Sequence, residues 1–352
     1  MYLFFSSDST ELYRKDIISA LALPENYCIH FRYASRDVTS EIFDNFSLAR
    51  GKDGIIVYAK GNDPLKNPND RMVEFLPIRS VIVQECYHDP STNLIHYFLR
   101  LGNFVNATSI PIDNSNHLLI YPPNSFVFDL EFCGSIVCKW FEKIGQLVKF
   151  DKKFENLMLF NINIRNKERF DSAQTIISFD PADKSSAFCM VEDKNYLLDL
   201  CVYNSCQDIK AYENYFLQIV NKSSDFYISN PDRIFVGADA DNRSYKLITN
   251  DIKYTRSSGY VWFQSFILDN GKEKELFSEI IQVNISRNYS KLQWRTFLTI
   301  GTFICTSLIA YIISEFGKGD ISGIATVSLL LVTLIAYVWC MLEQFYYFSS
   351  KG

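Results

Sequence analysis

The chain has 352 residues, a formal net charge of −5, 15% aromatic residues and 9 cysteines. That length exceeds one ordinary domain, and the acidic balance excludes a uniformly basic nucleic-acid binder while leaving room for a local basic cleft. An odd, irregularly spaced set of cysteines argues against a disulfide framework and suits a reducing compartment.

Residues 1–5 are too short for the apolar core of a signal peptide and have no basic flank, so a cytosolic placement is expected for the region ahead of Trp294. Residues 8–23 predict a helix. Asp8 and Glu11 stand three apart as in a capping box, Tyr13, Ile17, Ile18 and Leu21 share a face, and Pro24 stops it. Residues 27–33 alternate, with Ile29, Phe31 and Tyr33 opposite Cys28, His30 and Arg32, the pattern of a half-buried strand. A weaker helix signal covers 38–48, a strand is expected over 54–60, and 72–105 reads as a meander that turns at His88-Asp89-Pro90-Ser91. Residues 134–150 give the clearest helix. Ile136, Val137, Trp140, Phe141, Ile144, Leu147 and Val148 form its apolar stripe, and Lys139, Glu142, Lys143 and Gln146 face away.

The basic segment 149–153 reads as a hinge that separates a first domain, 1–150, from a second, 151–290. Strand-like stretches in the second domain, among them 157–165, 196–203, 245–249, 260–268 and 280–285, predict a sandwich or barrel. Residues 208–220 fit a helix by one count and a strand by another. The last unit, 291–352, holds two uncharged runs, 296–313 and 321–342, long enough at 1.5 Å per residue to span roughly 27 Å and 33 Å. Trp294 stands at the entry and Trp339, Phe345, Tyr346, Tyr347 and Phe348 at the exit, as in an aromatic belt. Arg287, Lys291, Arg295 and Lys351 flank the pair, which predicts both termini in the cytoplasm and an inner-membrane, multi-pass placement. The fold class expected is therefore α+β: a β-rich cytosolic region of two sheet-containing domains, then a C-terminal two-helix transmembrane hairpin.

Chemistry-bearing motifs are sparse. His30, His88, His96 and His117 form no ligand-spaced pair, and the chain has no phosphate-binding glycine loop and no nucleophile elbow. No catalytic residue, metal site or cofactor is expected, and the protein reads as a non-enzyme. Binding remains. Arg32 and Arg36 flank Tyr33, while Lys149, Lys152, Lys153, Arg165, Lys167 and Arg169 make the densest basic cluster. Basic side chains beside aromatics suit the phosphates and bases of a single strand, and ordinary solvated faces have the same composition. In the apolar runs Thr299, Thr302 and Thr306 share a narrow stripe, as do Ser322, Thr326 and Thr333. Such hydroxyls serve equally to line a pore, to bond between helices or to bond back to their own carbonyls. A pore would require a ring of subunits, because one hairpin encloses nothing.

This layout, a β-rich sensor region followed by 296–342 as a membrane unit, resembles the channel-forming effector of Hailong-type anti-phage systems. The resemblance implies an oligomeric, ligand-gated channel or membrane-disrupting pore in the lipid bilayer. It also implies an anionic ligand, a single-stranded DNA oligomer or nucleotide, and a nucleotidyltransferase-like partner protein. A membrane-tethered adaptor, with the hairpin as a plain anchor, is the alternative.

Overall fold

The computed structural model describes residues 2–7, 11–35, 38, 40–60, 74–106, 110–111, 138–167, 175–206, 208–229, 233–237, 241–250, 252, 256–316, 327–328, 331–335 and 337–339. Three sheets organise them. In the first, β1 (Tyr2–Ser7), β3 (Asp53–Lys60), β4 (Glu74–Asp89), β5 (Leu94–Phe104) and β2 (Cys28–Ala34) lie side by side in that order, and β6 (Ile110–Pro111) pairs with β4. β1 runs parallel to β3, and β3, β4, β5 and β2 follow one another antiparallel. The second sheet has the order β12 (Phe226–Ser229), β14 (Asp241–Thr249), β10 (Asn195–Asn204), β7 (Met158–Asn166). The third has the order β13 (Ile234–Phe235), β11 (Tyr215–Asn221), β15 (Arg256–Asp269), β16 (Lys272–Ser286), β9 (Ser185–Val191), β8 (Ile177–Asp180).

Alternation decides which way each strand looks. In β2 the side chains of Ile29, Phe31 and Tyr33 are buried, and in β5 those of Ile95, Tyr97, Leu99 and Leu101. These form the core face of the first sheet, onto which α1 (Glu11–Ala22) packs Ile17, Ile18 and Leu21, and the short α2 (Ser40–Asp44) lies between β2 and β3 in the chain. The second and third sheets close on each other through Phe160 of β7, whose ring centre lies 5.9 Å from that of Phe263 and 5.7 Å from that of Phe277. β15 and β16 join through Asn270 (φ 50°) and Gly271 (φ 75°), two left-handed residues of the kind a tight hairpin turn needs.

One junction ties the sheets together. The last carbonyls of a helix have no partner within it. At the end of α1 they are met by side chains from three other elements. Arg79 of β4 donates to Ala20 O at 2.8 Å and Leu23 O at 2.6 Å, and Trp140 of α3 (Trp140–Phe150) donates to Leu21 O at 3.0 Å. Asn161 of β7 also donates to Leu21 O, at 2.8 Å. Lys143, expected on the outer face of α3, is buried instead. Its ammonium donates to Pro77 O (2.8 Å) and Gln146 Oε1 (2.7 Å), and burial lowers its pKa to about 8. The stretch that fitted two readings is a 3₁₀ turn over Ile209–Asn214 followed by β11.

The expected transmembrane hairpin is overturned. Among the described residues no helix is long and apolar enough to cross a membrane. The described residues as a whole are β-rich with few helices, and the multi-pass inner-membrane placement and the ion-channel reading built on that hairpin are not supported. What is present is α4 (Tyr289–Phe316). Its Phe303 ring lies 5.4 Å from that of Tyr337, and Ala310 and Thr333 are both buried. Thr302 donates to Leu298 O at 2.7 Å and Thr306 to Thr302 O at 2.6 Å, so of the three roles open to these hydroxyls they take the local one. Thr299 lies on the same arc as Thr302 and Thr306 at about 100° per residue, and Ser322 and Thr326 lie outside the described residues.

Candidate functional site

The outer face of the first sheet carries the side chains that alternation turns away from the core. Register sets them in rungs: Arg32 opposite His96 opposite Tyr87, His30 opposite Phe98, and Cys28 opposite Arg100 opposite Ile82. Four rings form a ladder across these rungs. Tyr87 and His96 have centroids 4.6 Å apart and planes within 4°, and His30 and Phe98 are 4.8 Å apart and within 8°. His30 Nε2 and His96 Nδ1 share a hydrogen bond of 2.8 Å with nearly parallel planes, which sets the two imidazoles edge to edge. Burial, reinforced by the neighbouring His96 and the cations Arg32 and Lys184, pushes the His30 pKa down to about 4. Burial also lowers that of His96, against the pull of Asp89. At neutral pH the His30 ring is uncharged.

The hairpin of β8 and β9 lies over this face. Its Phe179 ring sits 5.8 Å from that of Phe98, and Lys184 Nζ stands 3.4 Å from the centre of the Tyr87 ring. The edge strand β2 is closed by Ser186, whose Oγ accepts from Cys28 N at 2.9 Å. Where the hairpin lifts off the sheet it leaves a cleft of about 480 Å³ lined by Asn26, Gln84, Arg100, Thr175, Ile176, Ile177 and Phe179. That volume lies in the range of small-molecule sites, ~300–1,000 Å³.

Two features set the cleft apart. Arg100 has no carboxylate partner among the described residues, because the register places Cys28 and Ile82 beside it rather than an acid. Thr175 is only 6% exposed, yet its hydroxyl has no hydrogen-bond partner among the described residues. A buried hydroxyl left in that state costs about 1–3 kcal/mol, so something must offset it. The cleft wall is also fixed, since Thr175 N donates to Ile164 O at 2.8 Å and Cys189 N to Ile176 O at 2.8 Å.

The basic residues expected to bind are dispersed. Arg165 is spent on Asp199, with Nε donating to Oδ2 at 2.5 Å and Nη2 to Oδ1 at 3.3 Å. Lys149, Lys152 and Lys153 are exposed near the end of α3. Arg165 and Lys167 stand at the far end of β7, about 25 Å away at strand rise. Arg32 is half-buried on the outer face beside the ladder, and Arg36 lies outside the described residues. Sequence reasoning missed Arg100, Thr175, Asn26 and Gln84. Only the outward phase of Arg100 in its alternating strand signalled it, and nothing in the sequence pairs it with residue 175.

A second titratable cluster lies between α1 and β16. Ser19 Oγ donates to Glu279 Oε2 at 2.6 Å, and burial, only partly offset by Arg32 and Lys15, raises the Asp16 carboxyl to about 7. Among the described residues no group of three or more His, Cys, Asp and Glu side chains is placed to hold a metal ion.

No family model and no curated protein matches this chain. Among solved structures, the YadV chaperone is 11% identical over 32% of this chain and 51% of its own, with a TM-score of 0.20. The periplasmic chaperone SfaE is 12% identical over 29% of this chain and 56% of its own, with a TM-score of 0.21. WR4, a C. elegans MSP family member, is 8% identical over 32% of this chain and 99% of its own, with a TM-score of 0.19. The chain thus spans about half the length of the two chaperones. Likenesses at these scores carry no argument about fold or function.

Proposed function

We propose that this protein is a ligand-binding sensor whose cleft between the first sheet and the β8–β9 hairpin takes an anionic, base-bearing ligand, a nucleotide or a single-stranded DNA oligomer. The observation that carries the reading is the meeting, in one cleft, of the Arg100 guanidinium and the buried Thr175 hydroxyl, neither of them neutralised or partnered among the described residues. A guanidinium offers a planar fork of donors that suits phosphate oxygens. Asn26 and Gln84 each present an amide donor and an amide acceptor, which suits the edge of a base, and Phe179 supplies a ring against which a base stacks. The sensing half of the sequence expectation is thereby kept and given a different place. The membrane-spanning half is not kept.

The test is titration calorimetry with a nucleoside monophosphate and with short single-stranded DNA. Binding is expected for the wild type, weakened about tenfold or more in Arg100→Ala through the loss of about 1.5–3 kcal/mol of charge-assisted hydrogen bonding. A wild type that takes up neither probe refutes the reading.

A further inference from the structure

Resting on that reading, we infer that a nucleic-acid strand is held by its end, with one terminal nucleotide in the cleft and the rest of the strand outside it. Binding a strand along its length needs a groove with a series of cations and exposed rings, one set per few nucleotides. The cleft has one cation, Arg100, among its described lining residues, and a volume of about 480 Å³ that suits a single small molecule.

Among the described residues the face beyond the cleft offers no open continuation. Phe179 closes it against Phe98, which is 6% exposed, and past them Tyr87, His96 and His30 are engaged with one another and with Lys184. On the other side the walls are held by backbone hydrogen bonds, Thr175 N to Ile164 O and Asn26 N to Leu101 O, both at 2.8 Å. Of the cations on that face, Lys184 is held over the Tyr87 ring and Arg32 is half-buried beside the ladder, and the remaining described basic residues expected to bind are elsewhere. Arg165 is neutralised by Asp199, and the lysines of 149–153 stand at the opposite end of β7. One phosphate on Arg100, one base edge on Asn26 and Gln84, and a hydroxyl on Thr175 complete the inventory.

The experiment compares, on the full-length wild-type protein, a nucleoside monophosphate, linear single strands of increasing length and a covalently circular single strand. Equilibrium dialysis reads affinity and stoichiometry. Linear strands of all lengths are expected to bind within about threefold of one another, the monophosphate is expected to compete with them, and the circle is expected not to bind. The salt dependence should correspond to about one phosphate, a slope near −0.7 on logarithmic axes. Affinity that climbs with length, or a circle that binds like a line, overturns end capture and leaves the cleft as a nucleotide site. Failure of every probe, monophosphate included, overturns the sensor reading and this inference with it.

Discussion

Arg100 and Arg165 occupy similar positions on two sheets, each half-buried and turned away from the core on a strand of alternating pattern, and they meet opposite fates. On β7, the cross-strand neighbourhood of Arg165 includes Asp199, which pairs with it and also accepts from Ser244. On β5, the neighbours of Arg100 are Cys28 and Ile82, and no carboxylate reaches it among the described residues. The density of basic residues along the chain favours the wrong one. A guanidinium is available to a ligand only when the register leaves it without an acid, and register is a property of strands far apart in sequence.

The comparison is most strongly tested by a third arginine whose donors are directed wholly inward. Arg79 is 1% exposed and serves three carbonyls, those of Ala20, Leu23 and Gly102. Replacing it with Met strands those carbonyls at the junction of the sheets, and a loss of about 3–5 kcal/mol in urea denaturation is expected. A loss under about 1 kcal/mol would show that the junction tolerates its own dissection. Thr175→Val removes an unsatisfied hydroxyl while keeping its shape. Stability is expected to hold or rise by about 1 kcal/mol, while ligand affinity falls about fivefold. A variant that is destabilised with unchanged affinity would mean the hydroxyl has a structural partner.

Arg165→Ala should do the reverse, lowering stability by about 0.2–1 kcal/mol, because the pair with Asp199 is partly exposed and screened. Nucleotide binding should be untouched, in contrast to Arg100→Ala. Equal effects of the two substitutions on binding would erase the distinction drawn between them.

The smallest effects are in pH dependence, and they carry opposite signs. The folded state lowers the pKa of His30 from 6.5 to about 4, so the unfolded chain takes up the proton first and stability from this group is lost as pH falls from 6.5 towards 4. Asp16 is raised from 3.8 to about 7, so the folded state holds its proton more tightly. Its contribution is present at low pH and is lost as pH rises from about 4 to about 7. Melting temperature against pH should therefore have a flatter acid limb in His30→Leu. For Asp16→Asn, the melting temperature relative to wild type should rise with pH across that window. Parallel curves for wild type and both variants would remove these groups from the pH response.

Much of the local structure was legible because it depends on short-range pattern. The alternation of residues 27–33 gave β2 and its buried Ile29, Phe31 and Tyr33. The stripe of Trp140, Ile144 and Leu147 marked the inward face of α3, yet Lys143 was misplaced. A long stem carries its ammonium to Pro77 O, and periodicity does not weigh that reach. The uncharged runs near the C-terminus were read as membrane spans from their length, lack of charge and aromatic flanks, and no described helix is long and apolar enough to bear that out. The candidate site was almost wholly illegible, since Asn26, Gln84, Arg100 and Thr175 come from four separate stretches, none rich in charge or motif.

The sequence by itself determined the phase of each strand, and with it the sorting of side chains into those that face a core and those that do not. A period of two or of 3.6 is local, so that information lies within a few residues of where it acts. Which outward side chains become neighbours was decided only by the tertiary structure. The pairing of β5 with β2 and β4, and the laying of the β8–β9 hairpin across them, brought Arg100 to Thr175 and left it without an acid among the described residues. Those contacts form between segments some 75 residues apart, where the folded topology, and no local rule, sets the distance.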